Sequence, residues 1–254
     1  MVNDALPSSS DLTPCHSEGG RFAVIIPVYN HADTVVHVVA KARQCHLPII
    51  VVDDGSTDAT HENLKSIQNI KIIRHSRNTG KGAALISGMI EAAKIADWAI
   101  CLDADGQHDP YDMKKLIRAI PEGMRPIVIG KRQGMENAPW TSRFGRQFSN
   151  FWVWASGVPF LSDSQSGFRC YPLPEVLNLG VHSGGYQYEI EVLAKAAWRA
   201  IPILEVPVNV TYAPAGQRIS HFDPWRDFVR NTRTFKRLIV QRVLTPRLWF
   251  RPRQ

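Results

Sequence analysis

Two aspartates one residue apart, Asp103-Ala-Asp105, follow a short apolar run, Ala99 to Leu102. The run has helical patterns on both sides and reads as a strand buried on both faces of a parallel sheet. Beyond the end of that strand the two carboxylates can converge on one point. Two carboxylates meeting there repel unless a cation sits between them. The hard oxygens of Asp103, Asp105 and Gln107 suit Mg²⁺ or Mn²⁺ held jointly with the phosphates of a substrate. Asp109 then serves as N-cap and Pro110 as the first residue of the following helix. Taken alone, the same residues would also make an ordinary acidic strand-to-helix loop.

The elements around this pair are strands and helices in alternation. Phe22 to Val28 is a first strand, closed by Tyr29-Asn30, and Thr34 to Arg43 repeats helically. Pro48 to Val52 is a second strand, ending in Asp53-Asp54-Gly-Ser-Thr-Asp58, and Ile70 to Ile73 a third. Arg77-Asn-Thr-Gly-Lys-Gly82 opens a helix to about Ala96. The Asp103 strand is the fourth. Ile127 to Ile129 is the fifth, ending in Gly130-Lys131-Arg132. Such alternation predicts an α/β domain with a mostly parallel central sheet and right-handed crossovers. Ligands of such sheets bind outside the carboxyl ends of the strands, where all these polar clusters fall. The second half is less regular. It offers an aromatic-rich helix, Arg143 to Ala155, and a polar loop, Ser162 to Arg169. A helix from Tyr186 to Arg199, a strand from Pro202 to Tyr212 and a helix from Pro224 to about Leu244 follow. Gly80-Lys81-Gly82 lacks the spacing of a P-loop, and no G-x-G-x-x-G follows the first strand. What remains is a nucleotide site built from carboxylates and a divalent cation.

Ile26-Pro-Val-Tyr-Asn30, Val52-Asp-Asp-Gly-Ser-Thr-Asp58, Asn78-Thr-Gly-Lys-Gly82 and Asp103-Ala-Asp-Gly-Gln107 stand in one order and spacing. Together they resemble the family 2 glycosyltransferases of the GT-A fold. Ser162-Asp-Ser-Gln-Ser-Gly-Phe-Arg169 narrows the resemblance to the polyprenyl-phosphate sugar transferases, the dolichol-phosphate mannosyltransferase-like branch. The resemblance covers residues 22–212. It implies that Pro27, Tyr29, Asn30, Asp53 and Asp54 line a nucleoside pocket and that Lys81 lies near the nucleotide. It also implies that Asp103, Asp105 and Gln107 hold the cation on the diphosphate of a UDP- or GDP-hexose. The family usually has Glu after Tyr-Asn, where this chain has His31.

The reaction so implied is inverting transfer, with the metal stabilising the leaving diphosphate. A hydroxyl acceptor needs a general base. Relatives that use one commonly carry Glu-Asp near Gln165-Ser166-Gly167, and no such pair is present here. A phosphate acceptor ionises with a second pKa of about 6 and needs no base. The sequence thus favours a polyprenyl phosphate, with Asp163 as the fallback base should the acceptor be a hydroxyl. Cations for an acceptor phosphate are available in Arg132, Arg143, Arg169 and Arg218, with Ser166, Ser220 and His221 beside them.

Charge divides the chain. The 254 residues carry a net +7, but residues 213–254 hold ten Lys/Arg against two acids, a net +8, leaving −1 for residues 1–212. Such a tail expects an anionic surface. Arg226, Arg230, Arg233 and Arg237 share one helical face, with Trp225, Phe228, Phe235 and Ile239 opposed, and Leu248-Trp-Phe250 follow. That is the pattern of a basic amphipathic helix lying in a membrane interface, and equally of a helix packed on the domain with a solvated basic face. The aromatics of residues 144–154 suit either core packing or an acceptor-lipid groove. No apolar run approaches a membrane span, and residues 1–20 lack a signal-peptide core. Four cysteines without a C-x-x-C pair point to reduced thiols. The expected organisation is a disordered leader (1–20), a catalytic domain (21–212), and a basic loop with an amphipathic helix (213–254). The expected place is the cytoplasmic face of a membrane, held peripherally. A non-catalytic membrane-docking nucleotide binder is the alternative outside enzymology. A nucleic-acid partner is not expected, because no binding motif accompanies the basic tail.

Overall fold

A computed structural model describes residues 20–133, 140–185, 187–211 and 224–244. The leader (residues 1–19), the basic loop through residue 223 and the last ten residues therefore lie outside the described residues. Seven strands form one sheet in the order β3-β2-β1-β4-β6-β5-β7. They are β1 (Phe22–Val28), β2 (Ile49–Asp53), β3 (Lys71–Arg74), β4 (Trp98–Cys101), β5 (Ile127–Arg132), β6 (Arg169–Pro172) and β7 (Ile203–Val208). The expected parallel strands are all present. The sheet departs from the sequence reading at β6, which inserts antiparallel between β4 and β5. β6 is short and opens on a buried arginine, so neither alternation nor an apolar run announces it.

Helices cover both faces. α1 (Ala32–Arg43), α2 (Thr60–Lys65) and α4 (Met113–Arg118) lie on one face. α3 (Lys81–Ala92), α5 (Trp140–Ala155), α6 (Tyr188–Trp198) and α7 (Pro224–Leu244) lie on the other. β1 shows why its sequence is apolar throughout: Val24, Ile26 and Val28 face the first layer, Ala23 and Ile25 the second. α3 stops at Ala92, short of the expected Ala96. Asp109 caps as expected, accepting from the Tyr111 N–H at 3.1 Å, and Pro110 opens a single 3₁₀ turn that leads into α4. Cys45, Cys101 and Cys170 are buried and in no disulfide.

The order reverses between β1 and β4. β2 and β3 lie to one side of β1, and the later strands to the other. Pairing along β1–β4 ends at Ile25↔Cys101, whereas β1–β2 continues to Val28↔Asp53. The Val24 N–H points to the β2 side, so by alternation the position of Pro27 points to the β4 side. There β4 has already ended, and the missing N–H of proline costs no ladder bond. Sheets of this kind bind their ligands at such a switch point, and here Tyr29-Asn30 follow β1 and the loop with Asp103 and Asp105 follows β4.

Candidate active site

Asp103 and Asp105 lie just past the end of β4. Asp103 Oδ1 stands 2.6 Å from Lys81 Nζ, and Asp105 Oδ1 accepts from the Gln107 N–H at 3.0 Å. Burial works to raise the Asp103 carboxyl, but the paired Lys81 holds it below the ordinary range. Asp105 lacks such a partner. Burial first, and the Asp103 charge second, push its carboxyl up to about 6. Such a pair is short of positive charge. Among the described residues no three His, Cys, Asp or Glu side chains gather to hold a metal by themselves. The donor set therefore fits a hard cation whose remaining ligands come from a substrate diphosphate.

Lys81 is the first residue of α3 and is seated from two sides. Its Nζ lies 2.6 Å from Asp103 and 2.7 Å from Glu189 Oε1, which projects from the first turn of α6. A cation at a helix N-terminus opposes the macrodipole, and here nearby anions offset it. The backbone on either side of Lys81 is clamped as well. The Ala83 N–H donates to the Gly184 carbonyl, and Gly82 leaves no room for a Cβ against Tyr188 and Ser183.

Asp54 stabilises the same helix start. Its carboxylate accepts from the Thr79 and Gly80 N–H groups, at 3.0 and 2.7 Å, and from the Thr79 hydroxyl; His75 lies 2.7 Å away. Asp53 accepts from the Ser56 N–H at 2.8 Å and stands 3.1 Å from His61 and 3.5 Å from Arg74. Both aspartates are buried. Each carboxylate, at the carboxyl end of β2, thus braces a loop. Asn30 joins this frame: its N–H donates to Ser56 Oγ and its amide oxygen accepts from the Thr57 N–H. Tyr29 and Asn30 stay partly exposed at the switch point, and Pro27 lies buried behind them.

The Ser162–Arg169 segment departs most from expectation. Asp163 is fully buried and gripped by Arg132, whose Nε and Nη2 donate at 2.7 and 2.8 Å and whose backbone N–H donates at 3.1 Å. A carboxylate held in that fork is not placed to act as a base. Arg169 is also fully buried. It donates to the carbonyls of Ser166, Ser164 and Glu189 at 2.6, 2.7 and 2.9 Å, so its guanidinium faces the protein rather than an acceptor phosphate. Ser166 is likewise buried, its hydroxyl accepting from the Phe168 N–H. Gly167 has a local reason: a Cβ there would collide with the Asp103 carboxylate and the Lys81 ammonium.

The remaining acceptor candidates divide by what is described. Arg132, at the end of β5, is near enough for its charge to act on both Asp103 and Asp105. Arg143 lies in α5, with its side chain outside the described residues; Arg218, Ser220 and His221 lie wholly outside them. Two residues of the site were missed from sequence. Glu189 comes from a helix read only for its apolar face. His108 follows the metal motif directly and packs on Phe168. Burial pushes His108 down to about 4 despite the pull of Asp103, so it is neutral at pH 7.

The tail helix is partly a core element. Phe235 and Leu238 are buried, Phe235 stacks on Trp152 at 6.0 Å, and Arg237 pairs with the buried Glu191 at 2.5 Å. Phe235 and Arg237 are therefore packing residues, not members of free apolar and basic faces. Phe151 and Trp154 on α5 are about half exposed, as is Val240 on α7, and Val243 and Leu244 are more so. No described helix is long and apolar enough to cross a membrane.

Paired aspartates thus stand at the switch point of a mostly parallel sheet. Residues 23–177 match the family described as Glycosyl transferase family 2. The chain is 32% identical over 213 residues to the UDP-N-acetylglucosamine–dolichyl-phosphate N-acetylglucosaminyltransferase of Methanococcus voltae, covering 74% of this chain and 85% of that one. It is 28% identical over 222 residues to the polyprenol monophosphomannose synthase of Mycolicibacterium smegmatis, covering 77% and 79%. Among solved structures, glucosyl-3-phosphoglycerate synthase from Mycobacterium tuberculosis, in complex with Mn²⁺, UDP and phosphoglyceric acid, superposes with a TM-score of 0.65. That pair shares 21% identity over 88% of this chain and 78% of the other, a likeness of GT-A fold. The chain belongs to the family 2 glycosyltransferases.

Proposed function

We propose that this glycosyltransferase moves a hexose, with inversion, from a UDP- or GDP-sugar to a polyprenyl phosphate, working at the cytosolic face of a membrane. The observation that carries the reading is the state of the carboxylates at the switch point. Asp103 and Asp105 are a cation-deficient pair suited to a metal–diphosphate, while Asp163 and Glu189 beside them are each engaged in an ion pair. Among the described residues the carboxylates beside the pair are already engaged, which suits an acceptor that is already ionised. The curated relatives named above act, by their names, on dolichyl and polyprenol phosphates, which supports the same acceptor class.

In this reading Asp103, Asp105 and Gln107 would hold Mg²⁺ or Mn²⁺, which would supply Lewis-acid stabilisation for the leaving nucleoside diphosphate. Tyr29, Asn30 and the loops braced by Asp53 and Asp54 receive the nucleoside. Lys81 lies beside the phosphates. The acceptor oxygen attacks the anomeric carbon from the face opposite the leaving group. The C–O bond to the diphosphate breaks as the new one forms. Arg132 lends positive charge to the acceptor side, with Arg218 of the 213–223 loop as a further candidate. The tail and the exposed aromatics of α5 meet the anionic leaflet that holds the lipid. Two measurements test the donor side. Nucleotide sugars supplied with Mn²⁺ should raise the melting temperature selectively, and Asp105→Asn or chelation should abolish transfer with the fold retained. Full turnover in excess chelator would sink the metal role.

A further inference from the structure

We propose that Glu189 is a positioning residue of the transfer reaction: it shares the Lys81 ammonium with Asp103 and keeps that ammonium seated when Asp103 turns to a divalent cation. This rests on the metal-assisted reading of the donor site given above. Three observations carry it. Lys81 Nζ stands between the two carboxylates at nearly equal distances, 2.6 Å to Asp103 and 2.7 Å to Glu189, with both anions little exposed. Asp103 therefore has a resident cation that competes with any metal. Glu189 still holds Lys81 once Asp103 is engaged elsewhere.

The frame around this triad is built to hold it. Arg169 Nη1 donates to the Glu189 carbonyl and fixes the first turn of α6. Gly82 lets α3 press on Tyr188, the residue before Glu189, and Gly167 leaves the space in which Asp103 and Lys81 meet. Most of the Ser-Gly-Phe-Arg segment thus shapes the donor side: its glycine clears room for the ion pair and its arginine locks the helix that supplies Glu189. The ammonium is little exposed and faces two carboxylates at hydrogen-bond distance. Without Glu189, Lys81 is drawn more strongly to Asp103, and the site loses a negative charge. Both effects weaken metal binding.

The test measures Mn²⁺ affinity of the full chain from the paramagnetic signal of free Mn²⁺, without donor and with UDP. Glu189→Gln should weaken Mn²⁺ binding by about ten-fold, and Lys81→Gln should strengthen it in the absence of donor. In the Lys81→Gln background the Glu189→Gln effect should shrink to about two- or three-fold, because the shared ammonium is gone. In turnover, Glu189→Gln should raise the apparent KM for Mn²⁺ far more than it lowers kcat at saturating Mn²⁺. A role in folding alone would lower the melting temperature and leave these affinities unmoved. Unchanged Mn²⁺ affinity in a folded Glu189→Gln variant, or an undiminished effect in the Lys81→Gln background, would overturn the inference while leaving the metal site standing. Should Glu189→Gln not fold, Lys81→Gln decides: stronger Mn²⁺ binding supports the competition, and unchanged binding refutes it. Absence of Mn²⁺ binding by the unaltered protein with UDP would remove the metal reading and this inference together.

Discussion

Asp105 links the chemistry of the site to pH. Its carboxyl is raised to about 6, against 3.8 for a free aspartate, so the folded protein binds this proton more tightly than the unfolded chain. Stability contributed by the protonated form is present below about pH 4 and is lost as pH rises through 6. Metal binding has the opposite sign, since only the ionised carboxylate serves a cation. Mn²⁺ affinity without donor should therefore fall about ten-fold per pH unit below 6, read by titration at fixed ionic strength. Asp105→Asn should melt about 2–4 °C higher at pH 7 while losing transfer, because it removes a strained charge and a ligand together. A melting point several degrees lower would show that the carboxylate is needed for the fold. Gly167→Ala should cost about 1–3 kcal/mol by overpacking and should disturb Mn²⁺ binding, since its methyl would fall on Asp103 and Lys81. Asp103 and Asp105 were legible in the sequence because two residues at a strand end define their own geometry. Asp53, Asp54, Asp163 and Arg169 were legible as polar residues near the site, but their internal partners were not. Their partners come from Arg74, His75, Arg132 and Glu189, distant in sequence, and only the fold decides that these side chains are already engaged.

Among the elements, α7 separates two halves of the account. Its middle is docked: Leu238 is fully buried and Arg237 reaches the Glu191 carboxylate, which Lys195 and the Ser183 hydroxyl also hold. Burial opposes ionisation of Glu191, but these partners outweigh it and bring the carboxyl down to about 2. Its contribution to stability is thus complete above pH 4.5 and is lost as pH falls through 2. Leu238→Ala should destabilise the protein by about 2–5 kcal/mol in denaturant melts. Arg237→Gln should flatten the acid limb of stability between those two pH values; an unaltered limb would mean the pair contributes nothing. The strand-helix alternation of the first half was readable because each strand is an apolar run bounded by turn residues. β6 was not, since a four-residue strand opening with an arginine carries no periodicity. α6 was read for Ile190, Leu193 and Ala194, yet it is buried nearly all round, so its acidic residues became site and core residues instead of a solvated face.

On the scale of the whole molecule, the chain is polarised, with +8 in its last 42 residues against −1 in the rest. Each basic residue near an anionic leaflet contributes about 1 kcal/mol, screened by salt over roughly 8–10 Å. The protein should co-sediment with anionic liposomes, weakly with neutral ones, and high salt should release much of it. Because Arg237 is engaged with Glu191, the informative variant changes Arg226, Arg230 and Arg233 to Gln. That variant should keep nucleotide binding and lose liposome binding; unchanged binding would place the membrane surface elsewhere. A peripheral enzyme oriented in this way meets a lipid whose phosphate lies at the interface while its chain stays in the bilayer, and the acceptor is therefore the central claim. It is tested most directly by supplying a radiolabelled nucleotide hexose with Mn²⁺, a polyprenyl phosphate and, separately, the free polyprenol and a glycan bearing only hydroxyls. The account predicts label in a lipid product formed only from the phosphate and released by mild acid, as a glycosyl phosphate should be. Label transferred to the hydroxyl acceptors, with none to the polyprenyl phosphate, would contradict it.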